Sequence, residues 1–128
     1  MADRLILDTN VLIDFFRKRA EAIQLMDSLR RRPTISVITI SELFAGVREG
    51  EERTEIEQFL SRCIAVDVNE DIATRAGLLL RQYRKSHGVG LADALIAATA
   101  EAENARLVSL NAKHFPMFPD LLVPYTKA

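Results

Sequence analysis

The chain has 128 residues, of which 17 are Lys or Arg and 18 are Asp or Glu, so its formal net charge is −1. A hydrophobic fraction of 48% and a charged fraction of 27% exclude a disordered or fibrous protein, and the length predicts a single domain over residues 1–128. This charge supplies no overall attraction to nucleic acid. The single cysteine, Cys63, excludes an internal disulfide and a cysteine metal site, which is typical of a reducing cytoplasm.

Short β-branched runs alternate with helical patterns along the chain, without a repeat or a flexible linker. The predicted strands, in chain order, are Leu5–Leu7, Thr34–Ile38, Ile64–Val68, Leu107–Leu110 and Leu121–Val123. The predicted helices are Val11–Arg17, Glu21–Arg31, Ile40–Arg48, Thr54–Arg62, Asn69–Lys85 and the alanine-rich stretch LADALIAATAEAEN that begins at Leu91. Strands separated by helices predict an α/β fold with a mostly parallel sheet that is covered on both faces.

Four oxygen-bearing side chains fall where such a sheet would bring them to one edge. Asp8 ends the first strand, in RLILDTNVLID, and Glu42 follows the second, in ITISELFAG, on the first turn of the next helix. Asp93 lies on the first turn of the alanine-rich helix, and Asn111 follows the fourth strand, in LVSLNAKHF. The carboxyl ends of parallel strands gather the loops that form sites, so we expect these four side chains to converge.

Each of these positions also has a purely structural interpretation. Asp8 or Asn10 could cap the following helix, and Asn111 could cap a short helix of its own. The segment Thr39-Ile-Ser-Glu42 fits the capping-box pattern. Asp93 near a helix N-terminus is favoured by the helix dipole whatever its role. Capping therefore stays open as an explanation for every one of them.

The apolar surroundings of Asp8 and Asp93 are harder to explain by capping. Both lie between apolar residues, and no Lys or Arg close in sequence can neutralise both. Buried carboxylates are costly unless they are protonated or bind a cation, and carboxylates that share one hollow repel each other. An all-oxygen set, in a chain with only two histidines, favours Mg²⁺ or Mn²⁺ over Zn²⁺. Such a site typically activates water for attack on a phosphodiester.

Four segments in this order, LILDTNVLID, ITISELFAGV, GLADALIAATA and LVSLNAKHF, resemble those of the PIN-domain family, and more narrowly those of VapC-type toxins of toxin–antitoxin pairs. The resemblance spans the chain from Leu5 to Leu122. It implies a three-layer α/β/α domain with a mostly parallel sheet of about five strands. It also implies a Mg²⁺- or Mn²⁺-dependent endoribonuclease that hydrolyses RNA, such as tRNA or ribosomal RNA.

The resemblance assigns catalysis and metal binding to three acids, which are Asp8, Glu42 and Asp93. Thr9 and Asn10 match the small polar residues beside the first acid and would orient a carboxylate or a bound water. Asn111 stands where many members carry a fourth acid, and it would bind the metal directly or through a coordinated water. His114 receives no role, because a histidine before Phe-Pro is more often structural.

The resemblance also gives clustered basic residues a role in binding RNA, where composition alone favours solvated helix ends. The side chains expected to contact RNA are Arg17, Lys18, Arg81, Arg84 and Lys85. The implied partners are RNA, a VapB-type antitoxin, a second copy of the chain in a homodimer, and operator DNA in a larger assembly with the antitoxin. The antitoxin would occupy a groove built by the helices near Val11–Arg17 and Ile40–Arg48.

Two other functions compete with the nuclease. A PIN-like module that binds RNA or protein without cutting would be favoured by the loss of one of the three acids, and all three are present. A phosphatase or phosphotransferase with a strand-terminal aspartate usually needs a second aspartate two residues later, where this chain has Asn10. The resemblance implies a bacterial or archaeal protein. We expect it to be cytoplasmic and without membrane contact, because neither a secretion signal nor a membrane-spanning apolar run is visible.

Overall fold

The computed structural model describes residues 4–127, in which short strands alternate with helices. The strands are β1 (Leu5–Leu7), β2 (Thr34–Ser36), β3 (Ile64–Val66) and β4 (Arg106–Val108). The helices are α1 (Thr9–Phe16), α2 (Ala20–Ser28), α3 (Val37–Ala45), α4 (Glu51–Leu60), α5 (Glu70–His87) and α6 (Leu91–Ala102). A 3₁₀ turn, Ala112–His114, follows β4. Within residues 4–127, no helix is both long enough and apolar enough to span a membrane.

The strands form one parallel sheet in the order β3-β2-β1-β4, which confirms the predicted α/β class. The predicted fifth strand, Leu121–Val123, is wrong, because the sheet of the described chain has four strands. Leu122 forms only an isolated parallel bridge to Val108, in which its N–H donates to the Leu107 carbonyl at 2.9 Å. The ladder cannot continue two residues later, since Pro124 has no N–H to donate.

Alternating side chains of the central strands divide the core into two layers, one on each face of the sheet. Ile6 and Leu107 pack with α5 and α6, whereas Leu7 and Val108 pack with α1, α3 and α4. All four side chains are almost completely buried. The three-layer α/β/α arrangement implied by the family resemblance is therefore confirmed.

The start of α3 decides how one of the predicted acids reaches the site. The hydroxyl of Ser36 accepts a hydrogen bond from the Ile38 N–H at 3.1 Å and caps the helix, which begins at Val37. The predicted strand Thr34–Ile38 is therefore two residues too long, and the predicted helix start at Ile40 is three residues late. Glu42 consequently lies on the second turn of α3 and not on the first.

Candidate active site

Asp8 lies directly after β1, where the chain turns into α1. Its exposed fraction is only 5%, and its N–H donates to the Val108 carbonyl at 2.9 Å, so β4 fixes its position. Its Oδ1 accepts from the Thr9 N–H at 2.8 Å, and its Oδ2 accepts from the Ser109 hydroxyl at 2.7 Å. Asp8 is thus the N-cap of α1, but capping accounts for only one of its two carboxylate oxygens.

Ser109, which follows β4 and is completely buried, links the polar groups of this edge. Besides donating to Asp8, its hydroxyl oxygen accepts from Asn10 Nδ2 at 3.3 Å and from the Asn111 N–H at 3.0 Å. Asn10 Oδ1 in turn accepts from the Leu110 N–H at 3.4 Å. Asn10 is therefore not a helix cap; it connects the start of α1 to the loop after β4.

Glu42 reaches the same edge from α3. Its Oε1 accepts from the Thr9 hydroxyl at 2.6 Å, and the hydroxyl oxygens of Thr9 and Thr39 are 3.0 Å apart. Because Thr9 has one hydroxyl hydrogen and gives it to the carboxylate, Thr39 supplies the hydrogen between the two hydroxyls. The alternative interpretation of Thr39 and Glu42 as a capping box is wrong, since Ser36 caps α3 and the Thr39 hydroxyl faces Thr9.

Asp93 lies on the first turn of α6, as predicted. Its Oδ2 accepts from the Gly90 N–H at 3.3 Å, which is the side-chain half of a capping box. The same oxygen lies 3.0 Å from Nδ1 of His114. The amide nitrogen of Asn111, Nδ2, lies 2.8 Å from that ring nitrogen, and the amide makes no capping bond to the 3₁₀ turn. Asp93 therefore combines a capping contact with a contact to the loop after β4.

The three acids interact electrostatically. Burial raises the pKa of Asp8 to about 6, hydrogen bonds from Ser109 and Thr9 oppose this rise, and the negative charges of Asp93 and Glu42 add to it. Carboxylates carried by α3 and α6 thus lie within electrostatic reach of the one that ends β1. In their present positions, however, no three His, Cys, Asp or Glu side chains of residues 4–127 form a ready-made metal site.

The profile of the PIN-domain family matches residues 5–118. The chain belongs to the PIN-domain family. It is 43% identical over 124 residues to Ribonuclease VapC19 of Mycobacterium tuberculosis, an alignment that covers 94% of this chain and 98% of the relative. Its fold superposes on a chain of a toxin–antitoxin complex from Klebsiella pneumoniae with a TM-score of 0.83 and 32% identity, covering 96% of this chain and 99% of the other. VapBC2 from Rickettsia felis, bound to a DNA fragment from its promoter, gives a TM-score of 0.73 at 29% identity, with coverages of 92% and 95%.

The donor set of this PIN-domain site suits a hard divalent cation. Among residues 4–127, the hydrogen-bond donors to the Asp8 carboxylate are the neutral groups of Thr9 and Ser109. A buried carboxylate that has only neutral donors and two negative neighbours is poorly stabilised in its charged form. Carboxylate and amide oxygens are the ligands that Mg²⁺ and Mn²⁺ prefer. The oxygen atoms of this site are therefore chemically suitable ligands for such an ion. In the structure, each of the three carboxylates accepts a hydrogen bond from a protein group.

The basic residues predicted to contact RNA lie in different surroundings in the PIN domain. Arg17 ends α1 and lines a groove between α1, α3 and α4 that Glu42 also lines. The ammonium of Lys18 instead pairs with Glu55 at 2.8 Å. The remaining three are exposed on α5 and are Arg81, Arg84 and Lys85. Arg48, which the sequence interpretation did not single out, lines the groove together with Arg17.

Two polar residues of the PIN-domain site escaped the sequence interpretation. Ser109 is signalled only by being a small polar residue directly after an apolar strand and two residues before Asn111. Thr39 is one helical turn before Glu42, but its pattern favoured a cap. A hydroxyl that bonds a partner far away in sequence leaves no local pattern, so the fold was needed to identify both.

Proposed function

We propose that the chain is a Mg²⁺- or Mn²⁺-dependent endoribonuclease whose cation is held by Asp8, Glu42 and Asp93. The observation that carries this proposal is the state of Asp8, a carboxylate with a 5% exposed fraction, neutral donors and two negatively charged neighbours. A divalent cation converts this repulsion into binding free energy. The 43% identity to a ribonuclease supports RNA as the substrate class.

The residues of this chain would prepare the site in distinct ways. The Ser109 hydroxyl fixes one oxygen of Asp8, and the Thr9 hydroxyl holds one oxygen of Glu42. Asn111 would add a neutral oxygen, directly or through a water. Once bound, the cation would supply an activated water and stabilise the negative charge that develops on the phosphodiester. Glu42 is exposed and has the longest of the three acidic side chains, so its carboxylate can adjust most to complete the ligand set.

RNA would approach along the groove between α1, α3 and α4. Arg17 and Arg48 line this groove beside Glu42, so cationic groups flank one of the acids. Guanidinium groups bind phosphate oxygens well, and contacts of Arg and Lys with phosphates supply most of the sequence-independent affinity for nucleic acid. We therefore assign backbone binding first to Arg17 and Arg48. The exposed cations on α5 would extend the contact for a long substrate such as tRNA or ribosomal RNA.

The same groove supports a role as the toxin of a toxin–antitoxin pair. Its apolar lining consists of Ile13, Phe16, Leu43 and Ile56, next to the charged side chains of Arg17, Glu42, Arg48 and Glu52. An amphipathic segment of a VapB-type antitoxin would place its apolar side chains on this lining and a basic side chain near the acids. We expect the cytoplasmic complex to contain a homodimer of this chain and to bind operator DNA, as VapBC2 from Rickettsia felis binds a promoter fragment.

Cleavage of purified tRNA and ribosomal RNA tests the enzymatic part of this proposal. We expect the wild-type chain to cut RNA with Mn²⁺ or Mg²⁺ and to lose the activity in chelator. Asp8→Asn should abolish cleavage, whereas Asp27→Asn, which changes an exposed acid on α2, should retain it. Cleavage that persists in chelator, or in Asp8→Asn, contradicts the proposal. Retention of RNA by the wild type without cutting would support the non-cleaving module instead.

A further inference from the structure

The 3₁₀ turn after β4 brings two polar side chains onto one face. Its backbone closes with a hydrogen bond of 3.1 Å from the His114 N–H to the Asn111 carbonyl, and side chains three residues apart in a 3₁₀ turn are nearly eclipsed. Nδ1 of His114 consequently faces both the Asn111 amide at 2.8 Å and Asp93 Oδ2 at 3.0 Å. One ring nitrogen therefore contacts two groups of the proposed cation site.

The chemistry of these three groups fixes where the hydrogen lies. A carboxylate oxygen can only accept, so a contact of 3.0 Å between Asp93 Oδ2 and Nδ1 is attractive only when Nδ1 carries a hydrogen. A protonated Nδ1 cannot accept from an NH₂ group, and thus the amide of Asn111 must turn its oxygen towards the ring. The oxygen and the NH₂ group of an amide have nearly the same shape, so the hydrogen bonds that they can form decide which of them faces the ring.

We infer that His114 is a positioning residue whose Nδ1–H is shared by the Asp93 carboxylate and the Asn111 side-chain oxygen. This contact holds together two oxygens that come from α6 and from the loop after β4. The Asn111 oxygen keeps a lone pair that can face a cation, and the Asp93 carboxylate offers its other oxygen, Oδ1, because Oδ2 already accepts from Gly90 and His114. The inference rests on the proposed function, because it assigns to His114 the preparation of two ligands of that cation.

The packing separates this role from a purely structural one. The neighbouring Phe115 has an exposed fraction of only 1% and packs in the core formed with α5 and α6. The side chain of His114, in contrast, is 28% exposed and makes its polar contacts to Asn111 and Asp93. Phe115 therefore anchors this turn in the core, whereas the His114 ring contacts the polar side chains of Asn111 and Asp93.

The tautomer of His114 can be measured in the metal-free protein. Long-range ¹H–¹⁵N correlation spectra distinguish a protonated ring nitrogen from one with a free lone pair. We expect Nδ1 of His114 to carry a hydrogen in the metal-free wild-type protein, without RNA. A ring that carries its hydrogen on Nε2 alone would overturn the inference, whatever the chain does with RNA.

Three variants test the consequence for the cation, with Mn²⁺ alone as the probe in titration calorimetry. His114→Asn keeps an N–H close to the position of Nδ1, His114→Gln moves it towards the position of Nε2, and His114→Leu removes it. We expect His114→Asn to bind Mn²⁺ nearly as the wild type does, and the other two to bind about tenfold or more weakly. Thermal melts without metal check that all three fold.

The outcomes distinguish the positioning role from the function on which it rests. Equal Mn²⁺ affinity of the Asn and Gln variants, with normal binding by the wild type, overturns the role of His114 alone. A wild-type chain that neither binds Mn²⁺ nor cuts RNA overturns the proposed function and this role with it. Both are supported if Mn²⁺ affinity is similar in the wild type and His114→Asn and clearly lower in His114→Gln and His114→Leu.

Discussion

The hydroxyl of Ser109 donates a hydrogen bond of 2.7 Å to Asp8 Oδ2, across 101 positions of sequence. The two residues directly follow β4 and β1, which are neighbours in the sheet. Parallel pairing thus places a fully buried donor beside a buried carboxylate, and the position of the acid depends on the sheet more than on the helix that it caps. The site is therefore built on two paired strands of the sheet.

Ser109→Ala removes this donor while leaving the packing nearly unchanged. We expect the pKa of Asp8 to rise further above about 6, because the hydrogen bond from Ser109 stabilises the charged form. The free energy of unfolding at neutral pH should fall by about 1 kcal/mol, and divalent binding should weaken. Carbon-detected NMR titration of the Asp8 carboxyl measures the first effect. Ser61→Ala, at an exposed serine that ends α4, is the control, and equal Asp8 titration in both variants would contradict the assignment.

Asp8→Asn should change how stability depends on pH in chelator. The folded state holds the Asp8 proton up to a pKa of about 6, whereas the unfolded chain releases it near 3.8, so folded protein binds more protons in that window. Stability contributed by this group is therefore lost as pH rises from about 4 to about 6, by up to roughly 3 kcal/mol. Urea unfolding from pH 4 to pH 8 should show this fall in the wild type and a flatter profile in Asp8→Asn. Superimposable profiles would show that the Asp8 carboxyl is not perturbed.

The C-terminal segment should depend on a second buried carboxylate, Asp14 on α1. It accepts from the Tyr125 hydroxyl at 2.9 Å and from Lys127 Nζ at 2.8 Å. Burial raises the pKa of Asp14, but these two hydrogen bonds together with the positive charges of Lys127 and Arg19 outweigh it and leave the pKa below its usual range. A carboxyl with a lowered pKa stabilises the folded state at pH values above its unfolded-state pKa. This stabilisation is lost as the pH falls through its folded-state pKa.

Tyr125→Phe tests this contact, because it removes one donor and keeps the ring. We expect a loss of about 1 kcal/mol in unfolding free energy at pH 7 and a smaller loss at acidic pH, once the pH has fallen through the lowered pKa of Asp14 and its carboxyl is protonated. Tyr83→Phe changes the other tyrosine, whose hydroxyl contacts Gln82 on the surface, and should cost little. Equal losses for the two tyrosine variants would mean that the Asp14 contact contributes nothing specific.

Asn111→Asp introduces an acid at the position where the family resemblance implies a fourth one. We expect Mn²⁺ to bind about tenfold more tightly, and the affinity to depend more steeply on pH, because an added carboxylate ligand must be deprotonated. The added carboxylate increases the negative charge near Asp93 and Asp8 in the metal-free site, so the variant should also have a lower melting temperature in chelator. Titration calorimetry at two pH values measures both effects. Unchanged Mn²⁺ affinity would place residue 111 outside the ligand set.

The order of the elements and the helices on both faces of the sheet followed from the sequence because they depend on local periodicity. The places of Asp8 at a strand end and of Asp93 at a helix start were also predicted, whereas Glu42 lies one turn further along its helix than predicted. The end of β2 could not be predicted, since Ser36 and Thr39 are both plausible caps and only the observed hydrogen bond between Ser36 and Ile38 decides between them. The short fifth strand failed for a different reason, the proline two residues after Leu122. The contacts of Ser109 and His114 were not predictable, because they join residues whose proximity is created by the sheet and by the 3₁₀ turn.

Mn²⁺ binding to four matched variants tests most directly whether acids from β1, α3 and α6 share one cation. The variants are Asp8→Asn, Glu42→Gln, Asp93→Asn and, as the control, Glu52→Gln, which changes another acid of the groove that Glu42 lines. We predict that the first three each weaken Mn²⁺ binding strongly and that the control binds like the wild type. Wild-type affinity in any of the first three would remove that acid from the site, and wild-type affinity in all three would contradict the shared cation itself.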